Sequence, residues 1–184
     1  MPQFWGAVQS VPNWPVLRCP PRVNCYVRGV DLEEACKVYE NTHTRIDVGD
    51  QADRMFWKRF KEMKPVIDIV VDDGGHFPEQ QIITLEEMLP HLRPGGVYLC
   101  EDVHGEWNLF SSYVHGLAVG LNACVWTGTS EADSGETGCV ATGFQAKVCS
   151  VHLYPFATVI ERTDVSIFEL VDRKYGTEWR PFLH

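Results

Sequence analysis

Two short apolar runs that each end in carboxylates constrain this chain more than any other feature. The first, Val66 to Val71, runs into Asp72, Asp73, Gly74, Gly75 and His76. The second, Val97 to Cys100, runs into Glu101 and Asp102. Neither alternates apolar with polar residues, which fits strands buried on both faces, as in a parallel sheet. A helical segment between them carries Ile82, Leu85, Leu89 and Leu92 as its buried stripe, with Pro78 in its first turn and Pro90 loosening its last. Pro94-Gly95-Gly96 then turns the chain into the second strand. Strand, helix, strand makes a right-handed crossover, so both strands run the same way and their acidic ends emerge at one edge. Neighbouring strands lie about 4.8 Å apart, which predicts that Asp72, Asp73, Glu101 and Asp102 converge where open α/β sheets bind ligands.

The flanking sequence extends this pattern. Cys25 to Asp31 reads as a strand, with Asp31 as N-cap of a short helix to Tyr39. Thr44 to Val48 reads as another strand, closed by Gly49, Asp50 and Gln51. Asp53 is placed to cap a helix whose buried face is Phe56, Phe60 and Met63, and Pro65 ends it. A helix from Trp107 to about Leu121 is expected to bury Leu109, Tyr113 and Leu117, and residues 128–138 read as a polar surface loop. Val148–Tyr154 and Ala157–Thr163 form a hairpin signal across Pro155-Phe156, followed by a short helix at Val165–Leu170 and a polar tail. The fold class expected is therefore α/β: a doubly wound, Rossmann-like, mostly parallel sheet with an antiparallel C-terminal hairpin. Residues 1–24 contain Pro2, Pro12, Pro15, Pro20 and Pro21 and read as an irregular leader, with 25–184 as a single domain.

Composition narrows the function. A formal charge of −9 over 184 residues argues against a nucleic-acid partner, which needs a basic stripe. No apolar run approaches the roughly 20 residues of a membrane span, and MPQFWGAVQS lacks the regions of a signal peptide. Seven scattered cysteines without a CxxC pair read as reduced thiols of a cytoplasmic protein. Cys139, Cys149 and His152 match no zinc-ligand spacing. A small-molecule substrate is the expected partner, and a homo-oligomer is compatible with the sequence.

Each candidate site residue has a plainer alternative. Asp31, at a strand end, suits the hydroxyls of a ribose, or it simply caps a helix. Asp50 and Gln51 suit an adenine edge, or a turn. Together they suggest an adenosine lying across successive strand ends. Carboxylates crowded at one edge call for a cation, and hard oxygen ligands favour Mg²⁺, Mn²⁺ or Ca²⁺. Asp73, Glu101 and Asp102 are best placed to hold it, whereas Asp72 or Asp102 could instead cap a turn. His76, three residues past Asp73 across two glycines, suits a general base; alone it would read as a surface loop histidine. His104 is a second, weaker base candidate, and Trp107 and Tyr113 could line a pocket. No G-x-G-x-x-G precedes Asp31, which disfavours a nicotinamide dehydrogenase.

The segments GVDLEEACKVYE, GDQADRMFWKRF, DIVVDDGGH and LRPGGVYLCED followed by VHGEW together resemble the class I S-adenosylmethionine-dependent methyltransferases. The resemblance is to their macrocin and mycinamicin sugar O-methyltransferase branch and its cephalosporin-hydroxylase-like relatives, over roughly Gly29 to Trp107. It implies Mg²⁺ held by Asp73, Glu101 and Asp102, with His76 deprotonating a substrate hydroxyl. S-adenosyl-L-methionine would be the methyl donor, with its ribose on Asp31 and its adenine by Asp50 and Gln51. Asp72 is counted with these cofactor-side residues. Family members open with a strand and a Gly-rich turn. Here only Gly6 to Ser10 stands in that place, with no readable strand before it, so Gly6 and Ser10 are the cofactor-turn candidates. That departure leaves an alternative open: an impaired methyltransferase-fold fragment acting as a binding or assembly module.

Overall fold

A computed structural model of the chain describes residues 4–7, 26–105, 108–121, 125–126, 139–140 and 142–164. The leading strand, β1 (Phe4–Ala7), is followed by β2 (Val27–Asp31), a 3-10 turn (Glu34–Tyr39) and β3 (Thr44–Val48). Then come α1 (Arg54–Met63), β4 (Ile67–Asp72), α2 (Pro78–Met88), a 3-10 turn at Leu89–His91 and β5 (Leu92–Cys100). After α3 (Leu109–Gly120), the short strands β6 (Val125–Trp126) and β7 (Cys139–Val140) pair with each other, and β8 (Val148–Tyr154) and β9 (Ala157–Arg162) close the chain's main sheet. That sheet has seven strands in the order β3-β2-β1-β4-β5-β9-β8. β1 to β5 are parallel, and β9 and β8 are antiparallel. The expected α/β architecture with an antiparallel hairpin is present.

The largest correction concerns the leader. Phe4–Ala7 is a strand, parallel to β2 in the register Phe4↔Val27 to Ala7↔Val30, and next to β4 through Phe4↔Ile69. Gly6 therefore lies inside a central strand opposite Gly29 rather than in a turn. Ser10, and the rest of the leader from residue 8 to 24, falls outside the described residues, as do the short helix at 165–170 and the loop at 128–138.

One core binds the layers. Phe56, Trp57 and Phe60 of α1, Leu85 and Met88 of α2, and Phe110 and Val114 of α3 pack with Val30, Ile67, Val70, Tyr98, Cys100 and Ile160 of the sheet. On the opposite sheet face Ile69, Val71, Val97 and Leu99 are only half-buried, so complete burial holds for one face and not for both. Two helix stripes are rotated from expectation: Trp57 is buried where Met63 is exposed, and Phe110 and Val114 are buried where Leu109 is exposed. Both follow from local anchors. Trp57 Nε1–H donates to the Gln51 carbonyl at 2.8 Å, and the Asn108 side chain caps α3 by accepting from Ser111 N–H at 3.0 Å. Asp53 caps α1 as expected, accepting from Met55 N–H at 2.8 Å.

The segment Leu92-Arg93-Pro94-Gly95-Gly96 also differs. It is the start of β5 and not the end of a helix plus a turn, and the β4–β5 register shifts between Ile67 and Ile69 to absorb it. Arg93 pairs there with the buried Asp68. A Cβ on Gly96 would stand 2.8 Å from the carbonyl oxygens of both Arg93 and Asp68. These are backbone atoms that cannot swing away. Gly96→Ala is expected to cost about 1–3 kcal/mol, read as a lower urea midpoint with unchanged slope; an unchanged midpoint would mean that the shifted segment gives way freely.

Candidate active site

The site grows from the ends of β2, β3, β4 and β5. Asp72, the last residue of β4, is 1% exposed. Its Oδ2 accepts from Tyr98 O–H of β5 at 2.7 Å and its Oδ1 from Gln51 Nε2 at 3.4 Å. Burial pushes its pKa up to about 6, against the hydrogen bonds from Tyr98, Gly74 N–H and Gln51 that favour the anion. With both oxygens engaged inside the core, Asp72 is a brace beneath the site. The expectation that it faces the cofactor is corrected, because the register places its side chain inward beside Tyr98.

Gln51 is also turned inward. Its Oε1 accepts from Gly75 N–H at 3.0 Å, and its Nε2 also reaches Thr84 Oγ1 at 3.4 Å. The side chain straps the end of β3 to the loop after β4. A Cβ on Gly74 would lie 1.8 Å from Gln51 Oε1, so any larger residue there would have to displace the strap.

The chain next rises to Asp73 and His76. His76 Nε2 lies 3.9 Å from Asp73 Oδ1 and 3.7 Å from Asp102 Oδ2. One ligand atom each from Asp73, His76 and Asp102 falls within 4.8 Å of the others. Two of these three, His76 at φ 57° and Asp102 at φ 51°, hold left-handed backbone, a sparsely populated region whose strain persists where a surrounding structure imposes it. Glu101 stands outside that group of three. Its N–H donates to the Asp72 carbonyl at 2.9 Å, continuing the ladder, and the residue is exposed. The cluster's charge still reaches it: burial, then Asp73 and Asp102, raise its pKa. The Asp73 pKa is raised by burial and by Asp102, with His76 opposing. Uncompensated negative charge on hard oxygens beside one imidazole fits a divalent, oxygen-seeking cation. His104 is exposed, its carbonyl accepting from Asn108 Nδ2–H at 3.0 Å, and Trp107 lies outside the described residues. Tyr113 donates to Glu86 at 2.7 Å and packs at the edge of the core.

Beside the cluster, a cleft of about 370 Å³, open to solvent, is lined by Val30, Asp31, Leu32, Gly49, Asp50, Gln51, Gly74, Gly75 and Gln80. Asp31 is 4% exposed. Its Oδ1 accepts from Glu33 N–H at 2.8 Å, whereas Oδ2 is buried with no hydrogen-bond partner. The neighbouring Cys36 thiol has its pKa pushed up to about 11, by burial and then by Asp31, but a thiol is a weak donor. A buried carboxylate oxygen in that state fits a hydroxyl donor. Asp50, exposed on the cleft wall, accepts from Ala52 N–H through Oδ1 at 2.8 Å. Sequence reasoning missed Tyr98 and Gln80, whose Oε1 is also buried without a partner. A hydroxyl inside an otherwise apolar strand was the available signal for Tyr98; Gln80 gave none.

Comparison with known proteins bears on the fold. No protein-family profile matches the chain. Demethylmacrocin O-methyltransferase of Streptomyces fradiae is 35% identical over 77 residues, 42% of this chain and 19% of that protein. Mycinamicin VI 2''-O-methyltransferase of Micromonospora griseorubida is 36% identical over 83 residues, 45% of this chain and 20% of that protein. The chain thus matches about a fifth of the length of these curated relatives. The MycE methyltransferase from the mycinamycin biosynthetic pathway, solved in complex with Mg and SAH, superposes with a TM-score of 0.67 at 18% identity, over 94% of this chain and 48% of that one. The fold is that of the S-adenosylmethionine-dependent methyltransferases. Among the described residues no helix is long and apolar enough to cross a membrane.

The Asp72 brace makes a pH prediction. A carboxyl whose native pKa lies near 6, above its unfolded value of 3.8, binds its proton more tightly when folded. Stability conferred by this group is therefore full at low pH and falls as pH rises from about 4 to 6, by on the order of 3 kcal/mol. Urea midpoints measured in chelator across that window should fall for the wild type. Asp72→Asn, which cannot ionise, should remove this part of the slope; an equal slope in both proteins would assign it to other groups.

Proposed function

We propose that this chain is an S-adenosylmethionine-dependent, Mg²⁺-assisted O-methyltransferase acting on a hydroxyl of a small sugar-bearing natural product. The observation that carries this reading is the convergence of Asp73, His76 and Asp102 from two adjacent parallel strand ends, beside a cleft with an unpartnered Asp31 oxygen. The relatives named for macrolide sugar methylation, and the MycE complex with Mg and SAH, agree with it.

Each residue then has a task. Asp31 Oδ2 accepts from a ribose hydroxyl, which satisfies a buried acceptor that otherwise costs about 1–3 kcal/mol. Gly74 and Gly75 let the donor approach the backbone, and Asp50 lies on the adenine side. Asp73 and Asp102, with Glu101 at their border, would hold a divalent cation, which when bound would supply Lewis acidity toward the substrate hydroxyl. His76 takes the hydroxyl proton. The substrate oxygen forms its bond to the methyl carbon as the carbon–sulfur bond breaks. The electron pair stays on sulfur, and S-adenosylhomocysteine leaves uncharged at that atom. Strand β1, parallel beside β2, weighs against the alternative of an impaired fragment whose opening strand is lost.

Calorimetry with S-adenosylhomocysteine is the direct test. Micromolar binding is expected for the wild type, and Asp31→Ala should weaken it about tenfold or more, the worth of a hydrogen bond to a charged group. His76→Ala should leave that affinity intact while lowering turnover by roughly 10²–10⁴. Absence of binding at millimolar ligand, with or without Mg²⁺, would sink the proposal.

A further inference from the structure

The backbone of Asp102 adopts a conformation that its surroundings have to impose. It is left-handed, at φ 51°, a region that residues carrying a side chain rarely occupy. A peptide unit is planar, so a bond that holds its carbonyl or its N–H also restricts the dihedral angles beside it. Three consecutive peptide units at this turn are held. Glu101 N–H donates to the Asp72 carbonyl at 2.9 Å, and Val103 N–H donates to the Phe156 carbonyl at 2.9 Å. Between them, the Glu101 carbonyl accepts from Gln81 Nε2–H at 3.4 Å. The Cys100 thiol, a weak donor, stands 3.7 Å from the same carbonyl. The outer two bonds are made by backbone, whereas the middle one depends on a side chain. That middle unit is the one whose plane sets φ of Asp102.

Fold stability alone does not explain Gln81. It belongs to α2, shares the buried face of that helix with Thr84, Leu85 and Met88, and is 1% exposed. It sits where α2 meets the ends of β4 and β5: its backbone carbonyl lies 3.4 Å from the Tyr98 hydroxyl that donates to Asp72. Its side-chain Oε1 is buried and has no hydrogen-bond partner, and an unpaired buried acceptor disfavours folding. An apolar side chain of similar shape would fill the same space and leave no such atom behind. What the amide does, and leucine or methionine could not, is reach the Glu101 carbonyl.

We propose that Gln81 is a positioning residue: its amide holds the Glu101–Asp102 peptide plane and so sets where the Asp102 carboxylate stands relative to Asp73 and His76. The inference rests on the methyltransferase reading above and deepens it. Asp102 Oδ2 lies 3.7 Å from His76 Nε2, and Asp73 Oδ1 lies 3.9 Å from the same nitrogen. Rotating the peptide plane before Asp102 would swing its carboxylate away from a group whose ligand atoms all lie within 4.8 Å of one another. The cleft assigned to the methyl donor is lined by Asp31, Asp50 and Gly74 and does not include Gln81. Loss of the amide therefore separates cation binding from cofactor binding.

The test uses the full chain and Mn²⁺, which shares the oxygen preference of Mg²⁺ and whose free-ion paramagnetic resonance signal is lost on binding. Asp102→Ala marks the site being read: the Mn²⁺ binding that it abolishes is the binding that counts. Gln81→Met keeps the length of the side chain and removes the amide. Its affinity for that Mn²⁺ should fall about 10–100-fold, as when a partner that orients a metal ligand is removed. Its affinity for S-adenosylhomocysteine should be unchanged, and its thermal midpoint in chelator equal or higher. Gln81→Leu repeats the measurement with a second apolar shape. Unchanged Mn²⁺ affinity in both variants, an equal loss of Mn²⁺ and S-adenosylhomocysteine binding, or failure of both variants to fold would make Gln81 a structural residue. Any of these overturns the proposal and leaves the methyltransferase reading standing. A wild-type chain that binds no S-adenosylhomocysteine, and whose Mn²⁺ binding Asp102→Ala does not alter, overturns both.

Discussion

The buried Asp72 carboxyl is the constraint from which the rest of the site follows. A carboxyl at the last position of a central strand, enclosed by the core, is tolerable only with dedicated donors. It receives them from Tyr98 of the adjacent strand, from Gln51 of the loop after β3, and from the Gly74 backbone. Those bonds fix three things together: where β4 stops, how the ends of β3, β4 and β5 stand relative to one another, and which way the chain turns into Asp73. The side chain that looks most like part of the reactive cluster in the sequence is its foundation. Because Gln51 Oε1 also takes the Gly75 N–H, the loop that carries Asp73 and His76 is clamped at both its start and its middle.

Above that foundation the protein concentrates features that disfavour folding. Asp73, Glu101 and Asp102 share one edge, and burial, then the neighbouring carboxylates, raise the pKa values of Asp73 and Glu101 against the opposing His76. His76 and Asp102 are both left-handed, at about 1–2 kcal/mol each against an ordinary conformation. None of this helps the fold, and all of it lies within one small region. The concentration is what a site prepared for a cation and a proton transfer requires, since groups fixed in advance need no reorganisation when the ligand arrives. The opposing stability comes from elsewhere, chiefly from the aromatic packing of Phe56, Trp57 and Phe60 under the sheet.

Much of this was legible in the sequence, and the parts that were not have physical reasons. Strand ends punctuated by Asp-Asp-Gly-Gly and by Glu-Asp are local signals, so the meeting of Asp73, His76 and Asp102 could be anticipated from one crossover. Parity at a strand end is not local. Whether Asp72 or Asp73 faces inward depends on the register with β5, and that register shifts through Gly96, whose tight contact with the Asp68 carbonyl no periodicity reveals. Trp57 and Phe110 displaced Met63 and Leu109 from the core for a similar reason. A single anchoring hydrogen bond at each helix start sets its rotation, and the apolar pattern tolerates either solution. β1 was hidden because it is four residues long, holds Phe-Trp-Gly-Ala in place of branched aliphatics, and pairs only with segments distant in sequence.

That hidden strand also sets the dimensions of the cleft. In the order β3-β2-β1-β4-β5 the direction of winding reverses between β1 and β4, and crevices in open sheets form at such a reversal because neighbouring connections leave on opposite faces. With β1 between them, β2 and β4 are two strand spacings apart, about 10 Å. Asp31 at the end of β2 and Gly74 after β4 therefore stand on opposite sides of the β1 end, and both line the cleft. Without β1, β2 would have to close on β4, and Asp31 would lie against the β4 backbone instead of lining the cleft. The four residues of β1 thereby set the spacing between the strand ends that carry Asp31 and Gly74.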